Sequence, residues 1–206
     1  MSRSHRAMST NASIRFFDTQ FRKQLGDADL QLNPFEQAAL PYLNGQVLDF
    51  GCGLGNLSVA AAQRGCTVLA LDASPTAVAH LTRIAGEQGL SITAAEADLS
   101  SYEITGEFDT VVAIGLLMFF DCAAARRQLE SLQAHTRPGG VTIVNTLIEG
   151  TTYLDMFDPA GYCLFPRDEI PARFRGWQIL HCEYRDFPAP NGQIKSFVTV
   201  IARKPQ

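Results

Sequence analysis

The sequence predicts an α/β three-layer sandwich: a mostly parallel, seven-stranded sheet between two layers of helices, ending in an antiparallel hairpin. Three observations predict it. Short apolar runs alternate with amphipathic stretches through residue 148, as in a parallel sheet covered on both faces. An apolar run carrying one acid, residues 47–50, leads straight into glycines at 51, 53 and 55 and then into an Ala-rich amphipathic stretch; this reads as strand, tight turn and helix. Two alternating runs, 177–187 and 194–202, flank Pro188-Ala189-Pro190-Asn191-Gly192 near the end of the chain, a hairpin signal lengthened by its prolines.

The elements follow in order. Asn33-Pro34-Phe35-Glu36 combines an Asn cap, Pro at the first helical position and Glu at the third, so a helix starts there and runs to about residue 43, disturbed at Pro41. Strand one spans 47–50, and the helix after the glycines ends at Gly65 as a left-handed cap. Strand two is 67–71. Ser74-Pro75 caps a helix to about residue 88, followed by strand three at 91–95 and strand four at 108–114. A helix capped by Asp121 runs to about residue 135. Pro138-Gly139-Gly140 is expected as a turn into strand five, 141–147. Residues 149–165 are aromatic and irregular, with a short helix around 167–174 before the closing hairpin.

At 206 residues the chain is expected to form one domain over 14–206, with 1–13 as a disordered leader or tag remnant. Lys plus Arg number 17 against 21 Asp plus Glu, and the basic residues are scattered, which argues against a nucleic-acid partner. The longest apolar run, 111–120, is too short to span a bilayer, and the polar N-terminus lacks the apolar core of a secretory signal. The expectation is a cytoplasmic protein, monomer or homodimer, without membrane or nucleic-acid partners. Five cysteines at 52, 66, 122, 163 and 182 include no Cys-x-x-Cys and read as reduced, mostly packing thiols. His5, His80, His135 and His181 have no metal-ligand spacing, so no metal is expected and surface or edge positions are the default.

The chemistry concentrates around Asp49-Phe50-Gly51-Cys52-Gly53-Leu54-Gly55-Asn56. Glycines let the backbone approach a ligand closely, and a helix opening behind them presents free N–H groups to it. A dinucleotide fingerprint would need glycine at position 56, which holds Asn. Asp72, at the end of strand two, suits acceptance of hydrogen bonds from both hydroxyls of a ribose, or the favourable end of a helix dipole. Asp98 follows strand three and serves either as a ligand acceptor or as a loop acid turning the chain. Asp109 is expected to be structural. Phe16-Phe17-Asp18 with Phe21-Arg22 forms either a lid over a cation or a simply packed amphipathic helix.

The spacing Asp-x-Gly-x-Gly-x-Gly, with acids one and two βαβ steps on, resembles the first motif of the class I S-adenosylmethionine-dependent methyltransferases, a Rossmann-like fold. The resemblance covers residues 13–204 in motif order. It implies S-adenosylmethionine as cofactor, with Asp49, Gly51, Cys52, Gly53, Gly55, Asn56, Asp72, Ala73, Asp98, Leu99, Ile114, Gly115 and Phe17 around it. By the same resemblance, Asp98 accepts from the adenine amine and the Leu99 N–H reaches a ring nitrogen. Leu117-Met118-Phe119-Phe120, the 149–165 loop, Gly176-Trp177 and Asn191-Gly192-Gln193-Ile194-Lys195-Ser196-Phe197 through Ala202-Arg203-Lys204 further resemble the tellurite-resistance branch. That branch methylates tellurium and selenium species. Its better-known members carry a His-Arg pair before the last hairpin turn, where this chain has Arg185-Asp186-Phe187-Pro188.

The expected reaction is methyl transfer to a small-molecule acceptor. No catalytic residue is assigned: residues 114–120 are apolar, and the nearest candidate bases are Tyr153, Asp155, Asp158 and His181. An acceptor already nucleophilic near neutral pH, such as a thiol, selenium or tellurium species, needs no base. The expected acceptor pocket is 149–165 plus Phe119, with Arg167, Arg173 or Arg175 drawing an anionic substrate. A phenol or quinol O-methyltransferase and a non-catalytic cofactor-binding module are the alternatives. A nicotinamide oxidoreductase is disfavoured by Asn56 and the closing hairpin.

Overall fold

A computed structural model describes residues 12–27, 31–159 and 161–206. Seven strands form one sheet in the order β3-β2-β1-β4-β5-β7-β6. They are β1 (Gln46–Phe50), β2 (Thr67–Asp72), β3 (Ile92–Glu96), β4 (Phe108–Ile114), β5 (Thr136–Leu147), β6 (Gln178–Pro188) and β7 (Ile194–Arg203). The first five run parallel, and β7 pairs antiparallel with both β5 and β6. This is the expected architecture.

The helices are α1 (Ala12–Asp27), α2 (Pro34–Ala39), α3 (Asn56–Gln63), α4 (Pro75–Gln88), α5 (Cys122–Ala134) and α6 (Glu169–Arg173). Ala39, Leu57, Ala61 and Leu81 from α2–α4 bury one face of the sheet. Leu129 and Leu132 of α5, with Ile170 of α6 and Phe174 just beyond it, bury the other. The sandwich therefore has two apolar cores separated by the sheet. No described helix is long and apolar enough to cross a membrane.

The local signals act as chemistry requires. The Asn33 side chain accepts from the N–H groups of Phe35 and Glu36 at 2.9 and 3.0 Å, while the Glu36 carboxylate accepts from Asn33 N at 2.8 Å, a reciprocal capping box. Ser74 caps α4 through Ala77 N, and Asp121 caps α5 through Ala124 N. Asp109 accepts from Gln46 N at 2.7 Å and from Arg137 at 2.8 Å, tying the starts of β1 and β5 to β4.

Four expectations need correction. Pro138-Gly139-Gly140 lies inside β5, which starts at Thr136 and whose pairing with β4 shifts register between Phe108 and Thr110 of β4. Glycines, one at φ +75°, absorb the irregularity within the strand. Cys122 and Cys163 are not reduced thiols but form a disulfide, their Cα atoms 4.7 Å apart across a sequence separation of 41; only the fold brings them together. Cys52 and Cys66 are buried free thiols, and Cys182 is an exposed one. His80 is buried on the inner side of α4 rather than at the surface. Of the expected leader, residues 1–11 lie outside the described residues, as does His5. Ser13 instead belongs to α1 and is buried, donating to Met156 O at 3.3 Å and accepting from Asp158 N at 3.2 Å.

Candidate functional site

The strand order reverses direction between β1 and β4, so the helices that follow them leave on opposite faces and open a crevice at the strands' carboxyl ends. A cleft of about 1080 Å³ lies there. The glycine turn forms its floor. Gly51, Gly53 and Gly55 have φ of +87°, +52° and +79°, a region that side-chain-bearing residues rarely occupy. Gly55 occupies the N-cap of α3 without any side-chain cap, so the first N–H groups of that helix face the cleft uncapped. Gly115, at the end of β4, has φ +67°, and a Cβ there would meet no protein atom within 4 Å. The position opens onto free space.

Acids line the same side. Asp49 is 5% exposed and accepts from the Ser58 hydroxyl at 2.6 Å. Burial pushes its pKa up to about 7, with Ser58 opposing and the nearby Glu36 and Asp72 adding to the rise. Asp72 closes the turn: one carboxylate oxygen accepts from Gly53 N and the other from Ser74 N, both at 2.8 Å. Burial also raises the Asp72 pKa, against those backbone hydrogen bonds. Asp98 accepts from Ser100 N and Oγ and from Ser101 Oγ, the chain-turning arrangement, and it also lines the cleft. Cys52, Asn56, Ala73, Leu99 and Ile114 line it as well. Burial holds the Cys52 thiol well above the usual range, so it is no nucleophile.

Helix α1 closes the top. Phe17 meets Phe119 edge-on at 4.8 Å, and Phe21 lies 3.3 Å from where a Gly53 Cβ would stand. Asp18 accepts from the Ser74 hydroxyl at 2.7 Å, fastening the helix to the start of α4. All the expected ligand-facing residues, Asp49, Gly51, Cys52, Gly53, Gly55, Asn56, Asp72, Ala73, Asp98, Leu99, Ile114, Gly115 and Phe17, meet at this one cleft.

The far wall is mostly apolar, with Met118, Phe119, Phe35, Met156 and Phe197. Here several expectations change. Arg173 is held by Glu130 and Glu169, and Arg167 stacks over Tyr184 at 4.2 Å; neither lines the cleft, and nor does Arg175. The cation on the wall is Lys195, which sequence reasoning passed over although it sits in an alternating strand. Asn145 was passed over too, although a carboxamide in the buried strand 141–147 is a signal for a site. Of the four candidate bases only Asp158 reaches the cleft. Tyr153 lies under Lys195, and His181 sits beside Glu183 at 3.7 Å on the edge strand. Arg185, where the His-Arg pair would fall, stacks over Phe187 at 4.9 Å. Among the described residues no group of three or more His, Cys, Asp or Glu is placed to hold a metal ion.

Residues 47–140 match the methyltransferase domain family. A probable S-adenosyl-L-methionine-dependent methyltransferase, TehB of Haemophilus influenzae, is 25% identical over 166 residues, covering 77% of this chain and 57% of that protein. Hemagglutinin 1 of Eikenella corrodens is 28% identical over 167 residues, covering 78% of this chain and 55% of the relative. The chain thus spans a little over half the length of these curated relatives. The crystal structure of Haemophilus influenzae TehB superposes with a TM-score of 0.73 at 21% identity, covering 84% of this chain and 62% of that one. The two share a fold.

Proposed function

We propose that the chain, whose residues 47–140 match the methyltransferase domain family and whose fold is shared with TehB, uses S-adenosylmethionine to methylate a small-molecule acceptor that is already nucleophilic near neutral pH: a thiol, or a selenium or tellurium species. The observation that carries the cofactor part of the reading is the left-handed glycine turn closed by Asp72 onto Gly53 N.

The donor set suits the cofactor, whose ammonium and sulfonium are cationic and whose ribose offers two hydroxyl donors. When bound, S-adenosylmethionine supplies a methyl group made electrophilic by the positive sulfur that carries it. Asp72 holds the ribose hydroxyls while keeping Gly53 in place. Asp98 and the Leu99 N–H take the adenine edge. Asp49, ionised, balances positive charge above the turn, and Ala73, Cys52 and Asn56 shape the floor. Gly115, having no side chain, leaves room beside Ile114 for close approach. Phe17 covers the site and excludes water. Alignment of a nucleophile against this floor is the main catalytic contribution, and positioning of that kind supplies up to roughly 7–11 kcal/mol. The apolar wall around Met118 and Phe119 suits a polarisable acceptor. Residues 12–206 form one domain in this reading, acting as monomer or homodimer.

Asp158 on the wall favours a second reading, O-methylation of a phenol or quinol with that carboxylate as base. Identification of the methylated product separates the two. The primary test is calorimetric titration with S-adenosylmethionine, S-adenosylhomocysteine and NAD. Micromolar binding of the first two and none of NAD is expected; binding of NAD alone would overturn the reading.

A further inference from the structure

The Asn145 carboxamide is fully buried in the middle of the sheet and lines the cleft. Its Nδ2 donates to Thr199 Oγ1 at 2.9 Å, but among the described residues its Oδ1 has no hydrogen-bond partner. A buried carbonyl oxygen without a donor is costly and is normally satisfied. Its location is specific. Asn145 pairs with Ile114 across β4–β5, and its own carbonyl accepts from Gly115 N at 2.9 Å, so it adjoins the point where β4 ends at the open glycine.

Lys195 is on the same face of the sheet. Thr199 lies directly opposite Asn145 in the β5–β7 register. Phe197 and Lys195 follow at the alternate positions that share a face with Thr199. Lys195 stands four residues from Thr199, roughly 13 Å of extended strand before its own side chain is counted. It is half-buried, lies over the Tyr153 ring at 5.1 Å, and forms no ion pair with a described carboxylate. Among the described residues it is the one cationic side chain lining a cleft whose other charges are acids. Phe197 lies between the two polar points along β7, and the Phe35 ring packs 4.8 Å from it.

We infer that the acceptor half of the cleft is a two-point subsite for a small aromatic acceptor with an anionic group at one end and a protic heteroatom at the other. Lys195 takes the anion, Asn145 Oδ1 accepts the hydrogen bond from the S–H or O–H, and the contacting Phe35–Phe197 pair packs against one side of the ring. The inference rests on the methyl-transfer reading above. It gives that reading a substrate class, which neither the glycine turn nor the acids specify. Asn145 has no basic pair to offer a proton, so it positions the nucleophile and does not deprotonate it. Lys195 also explains how a mostly acidic cleft can admit an anion at its far end.

The test uses 4-(mercaptomethyl)benzoate, its methyl ester and its S-methyl thioether, titrated into the protein saturated with S-adenosylhomocysteine. That form of the cofactor lacks the transferable methyl, so the thioether's methyl has room. The acid should bind about tenfold more tightly than the ester, and Lys195→Met should erase the difference while leaving S-adenosylhomocysteine affinity unchanged. The thiol should bind roughly threefold more tightly than the thioether, the smaller ratio reflecting a weak S–H donor, and Asn145→Leu should erase it. If Asn145→Leu does not fold, Asn145→Asp, which keeps an acceptor oxygen, should retain the thiol preference. Equal binding of acid and ester, or no binding of either while S-adenosylhomocysteine binds, overturns the subsite. Failure of S-adenosylhomocysteine to bind at all defeats the underlying reading, and it is seen before any acceptor is added.

Discussion

The two halves of the cleft are built in different ways. The floor under Gly51, Gly53 and Gly55 is made from neighbouring pieces of chain: one turn, the acid that ends the adjacent strand, and the first turn of α3. The far wall gathers Phe35, Met118, Asn145, Met156, Lys195 and Phe197 from five separate segments. The floor is held by main-chain hydrogen bonds to Asp72 and by glycine conformations that no other residue adopts comfortably. The wall is held by long-range ties. Cys163 N donates to Met118 O at 3.0 Å, the Cys122–Cys163 bond joins the 151–163 loop to the start of α5, and Ser13 of α1 grips Met156 and Asp158. A floor of this kind fixes one ligand chemistry, whereas an assembled wall can change its acceptor by exchanging single side chains.

Breaking the wall's covalent tie should have the largest effect. Closing a loop of this length contributes about 3–4 kcal/mol in the chain-entropy account, so reduction, or Cys122→Ala with Cys163→Ala, should lower unfolding stability by that order in denaturant titration. Amides of 151–163 should lose protection from hydrogen exchange, while S-adenosylhomocysteine affinity stays within about twofold, because the floor does not depend on this bond. Equal loosening of the glycine turn would erase the distinction between the halves.

Asp72→Ala attacks the floor instead. Loss of charge-assisted hydrogen bonds, at about 1.5 kcal/mol each for two, should weaken cofactor binding roughly 100-fold by calorimetry. Unchanged affinity would defeat the ribose role. Asp49 gives a smaller, pH-dependent effect. Its folded-state pKa, about 7, lies above the ordinary value, so between pH ~4 and ~7 the folded protein holds a proton that the unfolded chain has released. This group's contribution to stability is therefore present at low pH and lost as pH rises through that window. A cationic ligand favours the ionised carboxylate, so S-adenosylmethionine affinity should be about tenfold weaker at pH 6 than at pH 8. Asp49→Asn should flatten the profile. Phe17→Ala should have the smallest effect, a few-fold faster cofactor dissociation in stopped-flow, because one edge-on aromatic contact is worth about 1 kcal/mol.

What was legible in the sequence follows the same division. The sheet, its closing hairpin, the capping box at Asn33 and the entire glycine floor rest on local signals: periodicity, turn residues and acids at strand ends. The misreadings all involve distance along the chain. Cys122 and Cys163 become partners only because the loop folds back on Met118. The arginines of 167–175 look available in sequence, but Arg173 is consumed by Glu130 and Glu169, and Lys195 takes their place from the last strand. Pro138-Gly139-Gly140 looked like a turn because local chemistry does not reveal that β5 can carry a bulge between Asp109 and Lys204. His80 gave no sign of burial because α4 packs on its neighbours with that face.

The central claim is that the cleft has a self-contained cofactor floor and a separately assembled acceptor wall. Hydrogen–deuterium exchange with and without saturating S-adenosylhomocysteine tests it most directly. The account predicts protection at 49–57, 72–77, 98–100 and 113–116, with 151–163 unchanged until an acceptor is added. Protection confined to 151–163, or none at the glycine turn, would contradict it.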